Sequence, residues 1–165
     1  MKFNIQNRRY TGSKTKLNPW IESLIEKHCQ SYTSFADIFA GTGSVVAHNL
    51  KRFDDVVLND ILFSNQTIYN SFFKNTKYSK KKLNDFEKIY QNINLKDIPE
   101  NYFSRHFGNK FFNKGDSKKI GHIREQIENS KKNFNKKEYD ILISSLLYSS
   151  DKAANTVGHY DAYRK

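Results

Sequence analysis

The sequence predicts an α/β fold in which a short strand–helix–strand unit is followed by a mostly helical region. An apolar strand ending near Asp37 runs into a loop that contains Gly41 and Gly43. A second apolar strand, residues 56–58, follows after a short predicted helix. Beyond Ile61, apolar residues recur at helical spacing. Strand, glycine loop, helix and strand in that order are typical of doubly wound sheets.

The glycine loop is the first candidate ligand site. Gly41 and Gly43 can adopt backbone angles that side chains forbid, so the loop can turn sharply and approach a ligand closely. A helix predicted over residues 44–50 would point its N-terminus at that ligand. On its own, a Gly-x-Gly sequence predicts a plain tight turn as readily as a ligand site.

Asp60 and Lys14 favour the ligand site. Asp60 follows the second strand roughly 20 residues beyond the glycines, where doubly wound sheets place a carboxylate that binds ribose hydroxyls. A turn or helix-cap aspartate is the alternative. Lys14 precedes an amphipathic helix and could neutralise a ligand carboxylate, although it could equally be a surface lysine. The sequence lacks the Gly-Lys-Ser/Thr ending of a phosphate-binding loop, and S-adenosylmethionine fits the features present.

The residues predicted to be buried by the first helix are Leu17, Ile21, Leu24 and Ile25.

The order of these motifs resembles that of the Dam-type (alpha-class) adenine-specific DNA methyltransferases of restriction–modification systems. Residues 10–14 look like the family's aromatic-x-Gly-x-Lys segment. Residues 37–43 look like its acidic-Pro-Phe-x-Gly-x-Gly loop, with Ile38 in place of the proline. Asn59 and Asp60 match its Asn-Asp, and residues 151–163 look like a segment of one branch of these enzymes. The resemblance covers nearly the whole chain.

The resemblance implies a Rossmann-like S-adenosylmethionine-dependent methyltransferase fold, with an incomplete sheet and a mostly helical insertion. It implies methylation of adenine N6 in double-stranded DNA, with S-adenosyl-L-methionine as cofactor and a cognate restriction nuclease in the same system. Tyr10 and Lys14 are expected at the methionine end of the cofactor and Asp60 at the ribose. The remaining cofactor contacts are expected from the loop residues Asp37, Phe39, Gly41 and Gly43.

The catalytic signature of that family, Asp/Asn-Pro-Pro-Tyr/Phe, occurs nowhere in the 165 residues, whose two prolines, Pro19 and Pro99, are far apart. No catalytic residue is therefore assigned. We expect the chain to be the cofactor-binding N-terminal portion of a methyltransferase, or one subunit of a split enzyme whose second polypeptide carries the motif, and to be inactive alone. The alternative is a non-catalytic fragment that binds DNA or cofactor. An RNA methyltransferase is a further alternative, against which the DNA-enzyme-like residues 151–163 argue.

A soft domain boundary is predicted near Phe73. Residues 1–73 are expected to form the S-adenosylmethionine-binding part, and residues 74–165 a mostly helical region like a target-recognition region. Ser64 and Asp116 are predicted helix caps. Asn135 and Glu138 have the spacing of a capping box. The long helix that follows carries an apolar stripe predicted to be buried, formed by Tyr139, Leu142, Ile143, Leu146 and Leu147.

The charge of the chain suits a polyanionic partner. Lys and Arg number 28 against 17 Asp and Glu, a net charge of +11. A low-GC genome also favours lysine, which explains part of the excess. Residues 102–118 interleave basic residues with aromatics, as a DNA contact does, although a solvated loop with buried aromatics has the same pattern. The predicted DNA-binding residues are Arg105, Lys110, Lys114, His159, Tyr160 and Arg164. For the tyrosines of the C-terminal segment, simple anchoring to the core is the alternative.

Other classes of protein are disfavoured by the sequence. No run approaches the ~18 apolar residues of a membrane span, and the N-terminus lacks the apolar core of a signal peptide. We therefore expect a soluble, cytoplasmic protein. Cys29 is the single cysteine, so an internal disulfide is excluded, and the five histidines have no metal-ligand spacing. No metal is expected.

Overall fold

A computed structural model describes residues 4–6, 8, 12–157, 160 and 162–164 of the chain. The chain divides into two compact units, Met1–Phe72 and Phe73–Lys165. The functions expected of the two parts stay predictions. No helix within the described ranges is long and apolar enough to cross a membrane.

The first unit is a mixed α/β structure, as the sequence predicts. A short 3-10 turn, Thr15–Leu17, leads into the first helix. The elements then follow in the order α1 (Asn18–His28), β1 (Ser34–Asp37), α2 (Ser44–Asn49), β2 (Asp55–Leu58) and α3 (Phe63–Phe72). The two strands pair in parallel, with Ser34 opposite Asp55 and Asp37 opposite Leu58.

The strand pairing continues past the ends of both strands. The Asn59 N–H donates to the Asp37 carbonyl at 2.9 Å, and the Ala40 N–H donates to the Asn59 carbonyl at 3.0 Å. The Asn59 side-chain amide also donates to the Ile38 carbonyl at 3.0 Å. As a result, the glycine loop after β1 and Asp60 after β2 leave the same edge of the sheet side by side.

The buried face of α1 differs from the predicted one. Leu17 and Leu24 are 52% and 39% exposed, so the prediction that they are buried was wrong, whereas Ile25 is buried. The face that meets α2 is the polar one: Asn18 donates from its side chain to the Ser44 carbonyl at 3.1 Å. Glu22, four residues on, accepts from His48 at 2.7 Å. Residues 18, 22 and 25 share one helix face, and a search for apolar spacing alone cannot find it.

The second unit is built of helices. They are α4 (Lys80–Gln91), α5 (Tyr102–Phe107), α6 (Lys114–Asn129) and α7 (Lys136–Ala153). A buried aromatic and aliphatic cluster joins α5, the α5–α6 connection, α6 and the end of α7. It contains Phe112, Ile120 and Ala154, against which Phe103, Phe107, Phe111, Leu146 and Ala153 pack.

The helix caps were predicted in part. The capping box is confirmed, since the Glu138 N–H donates to the Asn135 side chain and the Asn135 N–H donates to Glu138, both at 2.9 Å. Asp116 was wrong as a cap, because Asn113 caps α6 by accepting from the Asp116 N–H at 2.8 Å. Ser64 was also wrong, since α3 already begins at Phe63.

The buried residues of α7 are largely polar. Of the predicted apolar stripe only Leu142 is buried and the other four residues are half-buried, whereas Glu138 and Asp140 are 2% and 0% exposed. Glu138 accepts from the Ser79 N–H at 2.9 Å, and this bond is the main cause that lowers its pKa. Asp140 pairs with Lys136. The start of α7 therefore holds Ser79, the residue before α4, through a hydrogen bond to the buried Glu138 carboxylate.

Gly121 of α6 offers a test of this packing. A Cβ there would lie 2.1 Å from the side-chain oxygen of Asn101, the residue that caps α5. We expect Gly121→Ala to lower the free energy of unfolding by about 1 to 3 kcal/mol, the usual cost of overpacking. Gly115→Ala in the same helix is the control, since the atom nearest to its Cβ would be a Leu95 methyl, at 3.1 Å. Urea unfolding that gives both variants the same stability would contradict the packing described.

Candidate functional site

The glycine loop is a tight, buried turn. Gly41 and Gly43 have φ angles of 54° and 73°, in the left-handed region where a side chain is strained. The Gly43 N–H donates to the Ala40 carbonyl at 2.7 Å and closes the turn just before α2. Thr42 and Ser44 are also buried. Positions 41 and 43 therefore favour glycine because of their backbone conformation.

Asp60 binds the glycine loop directly. One carboxylate oxygen accepts from the Gly41 N–H at 2.8 Å and the other from the Leu62 N–H at 2.9 Å. Burial raises the pKa of Asp60, but the hydrogen bonds from Leu62, Gly41 and the Asn65 side chain, with the charge of Lys14, outweigh it and hold the pKa below its ordinary value of 3.8. Asp60 is therefore ionised at neutral pH. An ionised carboxylate has about four acceptor sites, so after the bonds from Leu62, Gly41 and Asn65 Asp60 keeps capacity for a further donor.

Tyr69 is a site residue that sequence reasoning missed. Its hydroxyl donates to the Gly41 carbonyl at 2.6 Å, and its side chain is buried. The apolar helical spacing beyond Ile61 gave Tyr69 no role in the site. The one available signal was general: a buried tyrosine hydroxyl needs a hydrogen-bond partner.

Lys14 reaches the same loop from the N-terminal side. Its ammonium group donates to the Phe39 carbonyl at 2.9 Å, and its charge acts on Asp60. Phe39 is 76% exposed, so its ring is open to solvent at this edge of the sheet. Lys14, Phe39 and Asp60, predicted cofactor contacts from three separate parts of the sequence, therefore lie together at the glycine loop. Tyr10 lies outside the described residues.

Asp37 leaves one buried acceptor unused. Its Oδ1 accepts from the Phe39 N–H at 3.3 Å. Its Oδ2 is buried and accepts a hydrogen bond from none of the residues that the structure describes. A buried carboxylate oxygen is costly without a donor, so this atom fits a cationic or hydrogen-bonding ligand group.

Two cavities adjoin the loop. The first, about 180 Å³, lies between Gly12 and Lys14 on one side and residues 39–42 and Ser44 on the other. The second, about 270 Å³, surrounds Asp60 and is also lined by Phe63 and Tyr69. Gly41 lines the first cavity and is hydrogen-bonded to two residues that line the second. Within the described part of the chain, no group of His, Cys, Asp and Glu side chains is placed to hold a metal ion.

The predicted DNA-binding residues are only partly brought together. Lys110 and Arg164 line one cavity of about 670 Å³ in the second unit. Lys114 instead pairs with Glu100 at 3.0 Å. The Ser104 hydroxyl and then Lys114 lower the pKa of Glu100 to about 2. Arg105 is exposed in the last turn of α5.

The C-terminal segment folds back onto the 109–113 turn. The Asn155 N–H donates to the Phe111 carbonyl at 2.6 Å, and the Arg164 N–H donates to the Asn155 carbonyl at 3.2 Å. The Tyr160 hydroxyl donates to Asp151 at 2.9 Å, and its ring packs near Phe111. These contacts hold Arg164 beside Lys110. His159 lies outside the described residues.

Comparison with known proteins identifies the family. Residues 10–165 match the D12 class N6 adenine-specific DNA methyltransferases. The chain belongs to this family. The resemblance inferred from the sequence motifs, to adenine-specific DNA methyltransferases of restriction–modification systems, is thereby confirmed.

Relatives of this chain are named as type II methyltransferases or modification methylases. It is 33% identical to the type II methyltransferase M.CviAII of Paramecium bursaria Chlorella virus 1, over 94% of this chain and 49% of the relative. It is 35% identical to the modification methylase StsI of Streptococcus sanguinis, over 95% of this chain and 26% of the relative. It is 32% identical to the modification methylase LlaI of Lactococcus lactis subsp. lactis, over 95% of this chain and 27% of the relative. The chain thus spans between about a quarter and a half of these relatives, and no solved structure matches it.

The pKa of Asp60 gives a test of its place in the site. Asp60→Asn should destabilise the protein at neutral pH, because an amide nitrogen cannot accept from the Gly41 or Leu62 N–H. A depressed pKa stabilises the fold above the ordinary value of 3.8, and this stability is lost as the pH falls through the lowered pKa. The difference between wild type and variant should therefore be constant from pH 7 to about pH 4 and shrink below it.

The measurement is urea unfolding at a series of pH values. Asp54→Asn, an exposed position in the same unit, is the control for the loss of one carboxylate. A stability difference for Asp60→Asn that persists undiminished in acid would show that the ionised carboxylate is not what holds the loop.

Proposed function

We propose that this chain carries the S-adenosylmethionine-binding part of an adenine-N6 DNA methyltransferase, located in the first unit. The observation that supports this most is the convergence of Lys14, the glycine loop and Asp60, with one cavity at Lys14 and the loop and another at Asp60. A long ligand with a zwitterionic end and a nucleoside end suits such a pair of cavities.

The residues present fit the two ends of S-adenosylmethionine. At the amino-acid end, Lys14 has ammonium protons left for a carboxylate, and Asp37 Oδ2 is a buried acceptor suited to an ammonium group. At the nucleoside end, Asp60 keeps acceptor capacity for a ribose hydroxyl. Gly41 and Gly43 shape the turn between them, with Phe39 alongside. Tyr10 is proposed at the methionine end from family resemblance. When bound, the cofactor supplies an electrophilic methyl group, and these side chains orient it.

The first unit is proposed to be part of a larger Rossmann-like sheet. Parallel sheets in proteins are normally covered on both faces. Here Ala36 and Val57 stand opposite each other in the register, and both are exposed, Val57 by 60%. Further elements that cover this face would complete the methyltransferase fold.

Methyl transfer is proposed to need a catalytic motif that these 165 residues do not contain. The lone pair of adenine N6 is delocalised into the ring, so the amine must be held and polarised. The base must also leave the helical stack to reach the methyl group. We propose that an Asp/Asn-Pro-Pro-Tyr/Phe segment supplied by additional polypeptide does this work, and that the chain alone is inactive. A non-catalytic fragment that binds cofactor or DNA is the second candidate, favoured by the same missing motif.

Double-stranded DNA is the proposed macromolecular partner, bound by the second unit. Lys110 and Arg164 are placed to contact phosphates from the shared cavity, and Arg105 is exposed nearby in sequence. Cationic side chains of this kind supply sequence-independent affinity. The family resemblance adds Lys114, His159 and Tyr160, and a cognate restriction nuclease in the same system.

Calorimetric titration of S-adenosylmethionine into the 165-residue protein tests the cofactor site. We expect binding at one site, weakened by roughly tenfold or more in Asp60→Ala, which corresponds to about 1.4 kcal/mol. Asp54→Ala is the matched control and should bind as the wild type does. An S-adenosylhomocysteine analogue without ribose hydroxyls should also bind more weakly than its parent. A folded wild type that binds no cofactor would refute the proposal.

Salt-dependent DNA binding tests the second unit. DNA binding is measured by fluorescence anisotropy with a DNA duplex. The plot of log K against log salt has a negative slope, and the double variant Lys110→Ala/Arg164→Ala should reduce its magnitude by about 2, because each lost phosphate contact removes roughly 0.9. The control is Lys27→Ala/Lys51→Ala, which removes the same charge from exposed positions of the first unit. Equal slopes for the two double variants would contradict a localised contact.

A further inference from the structure

The peptide groups of Gly41 are held from both sides by other parts of the first unit. Its N–H donates to Asp60 at 2.8 Å, and its carbonyl accepts from the Tyr69 hydroxyl at 2.6 Å. Gly41 itself is buried, as is Tyr69, which is 7% exposed. The two bonds reach the loop from β2 and from α3, which are separate elements.

These two bonds fix a residue that has no conformational preference of its own. Glycine populates the left-handed region about as readily as the right-handed one, so nothing in Gly41 itself imposes its φ of 54°. A buried carbonyl without a donor is costly. The Tyr69 hydroxyl therefore favours the one loop conformation in which the carbonyl points at it.

The same bonds connect the two cavities. Asp60 also accepts from the Leu62 N–H, which sets the entry of α3, and α3 carries Tyr69 two turns further on. Asp60, the start of α3, Tyr69 and Gly41 thus form a closed ring of contacts. Asp60 and Tyr69 line the larger cavity, while Gly41 lines the smaller one.

We propose that Tyr69 is a positioning residue whose hydroxyl holds the glycine loop in its ligand-binding conformation. Through Gly41, it aligns the cavity at Lys14 with the cavity at Asp60, so that both accept one ligand. This inference rests on the proposed S-adenosylmethionine site and adds to it a residue that does not itself contact the reacting atoms.

The loss of the hydroxyl has a calculable consequence. Without it, only the Asp60 bond holds Gly41 in the left-handed conformation, and the fraction of molecules with a binding-competent loop falls. An apparent dissociation constant rises in inverse proportion to that fraction, so a competent fraction of one in ten weakens binding about tenfold. A role in packing alone would depend on the ring of Tyr69, which Tyr69→Phe retains.

The experiment compares wild type, Tyr69→Phe and Tyr139→Phe. Tyr139 is the matched control, since its hydroxyl also makes a hydrogen bond, to Glu128 at 2.8 Å, but in the second unit. S-adenosylmethionine affinity is measured by calorimetry, and the exchange rate of the Gly41 amide proton is measured by NMR without ligand. The exchange rate reports on the loop itself and does not depend on activity.

The expected result is a dissociation constant about tenfold higher for Tyr69→Phe, with faster exchange at Gly41 and no change in either quantity for Tyr139→Phe. A wild type that binds while Tyr69→Phe binds equally well, or shows unchanged exchange at Gly41, overturns this inference and leaves the proposed function standing. A folded wild type that does not bind overturns both. If Tyr69→Phe does not fold, saturating cofactor must slow Gly41 exchange in the wild type, and unchanged exchange overturns the inference.

Discussion

The parallel pairing of β1 with β2, and its extension past the strand ends, is the constraint on which the candidate site depends. The strands fix Asp37 opposite Leu58, and Asn59 then bonds through its N–H, its carbonyl and its side chain to the chain that leaves β1. The glycine loop and Asp60, 19 residues apart in sequence, are thereby held within hydrogen-bond distance. Lys14 and Tyr69 act on a loop whose place this pairing has already set.

The loop is organised by its own protein contacts. The N–H groups of Gly41 and Gly43 donate to Asp60 and to the Ala40 carbonyl, so both glycines contribute the shape of the turn. These bonds keep Asp60 ionised, and Asp60 holds the loop through the Gly41 N–H without a ligand. A site that is shaped in advance loses less conformational entropy on binding. The ligand-directed groups are then the side chains at its two ends, Lys14, Asp37 and Asp60.

Much of this site could be predicted from the sequence because its signals are local. Glycines between a strand and a helix, and a carboxylate after the next strand, follow from backbone geometry alone. Tyr69 was missed because its role depends on where α3 lies relative to Gly41, which helical spacing does not encode. The same limit explains α1, where the face toward α2 is selected by polar contacts of Asn18 and Glu22 while Leu17 and Leu24 remain exposed. At α6 the N-cap is Asn113 rather than Asp116, because several consecutive polar residues fit the N-cap position and the sequence does not say which one begins the helix.

The most direct test of the account is a spectrum of the protein labelled with ¹⁵N at glycine, recorded as S-adenosylmethionine is added. Gly12 and Gly41 line the smaller cavity and Gly43 closes the adjoining turn, whereas Gly108, Gly115 and Gly121 lie in the second unit. The account predicts that the amide signals of the first three shift and that those of the last three do not. Shifts confined to the second unit, or no shift at saturating cofactor, would contradict it.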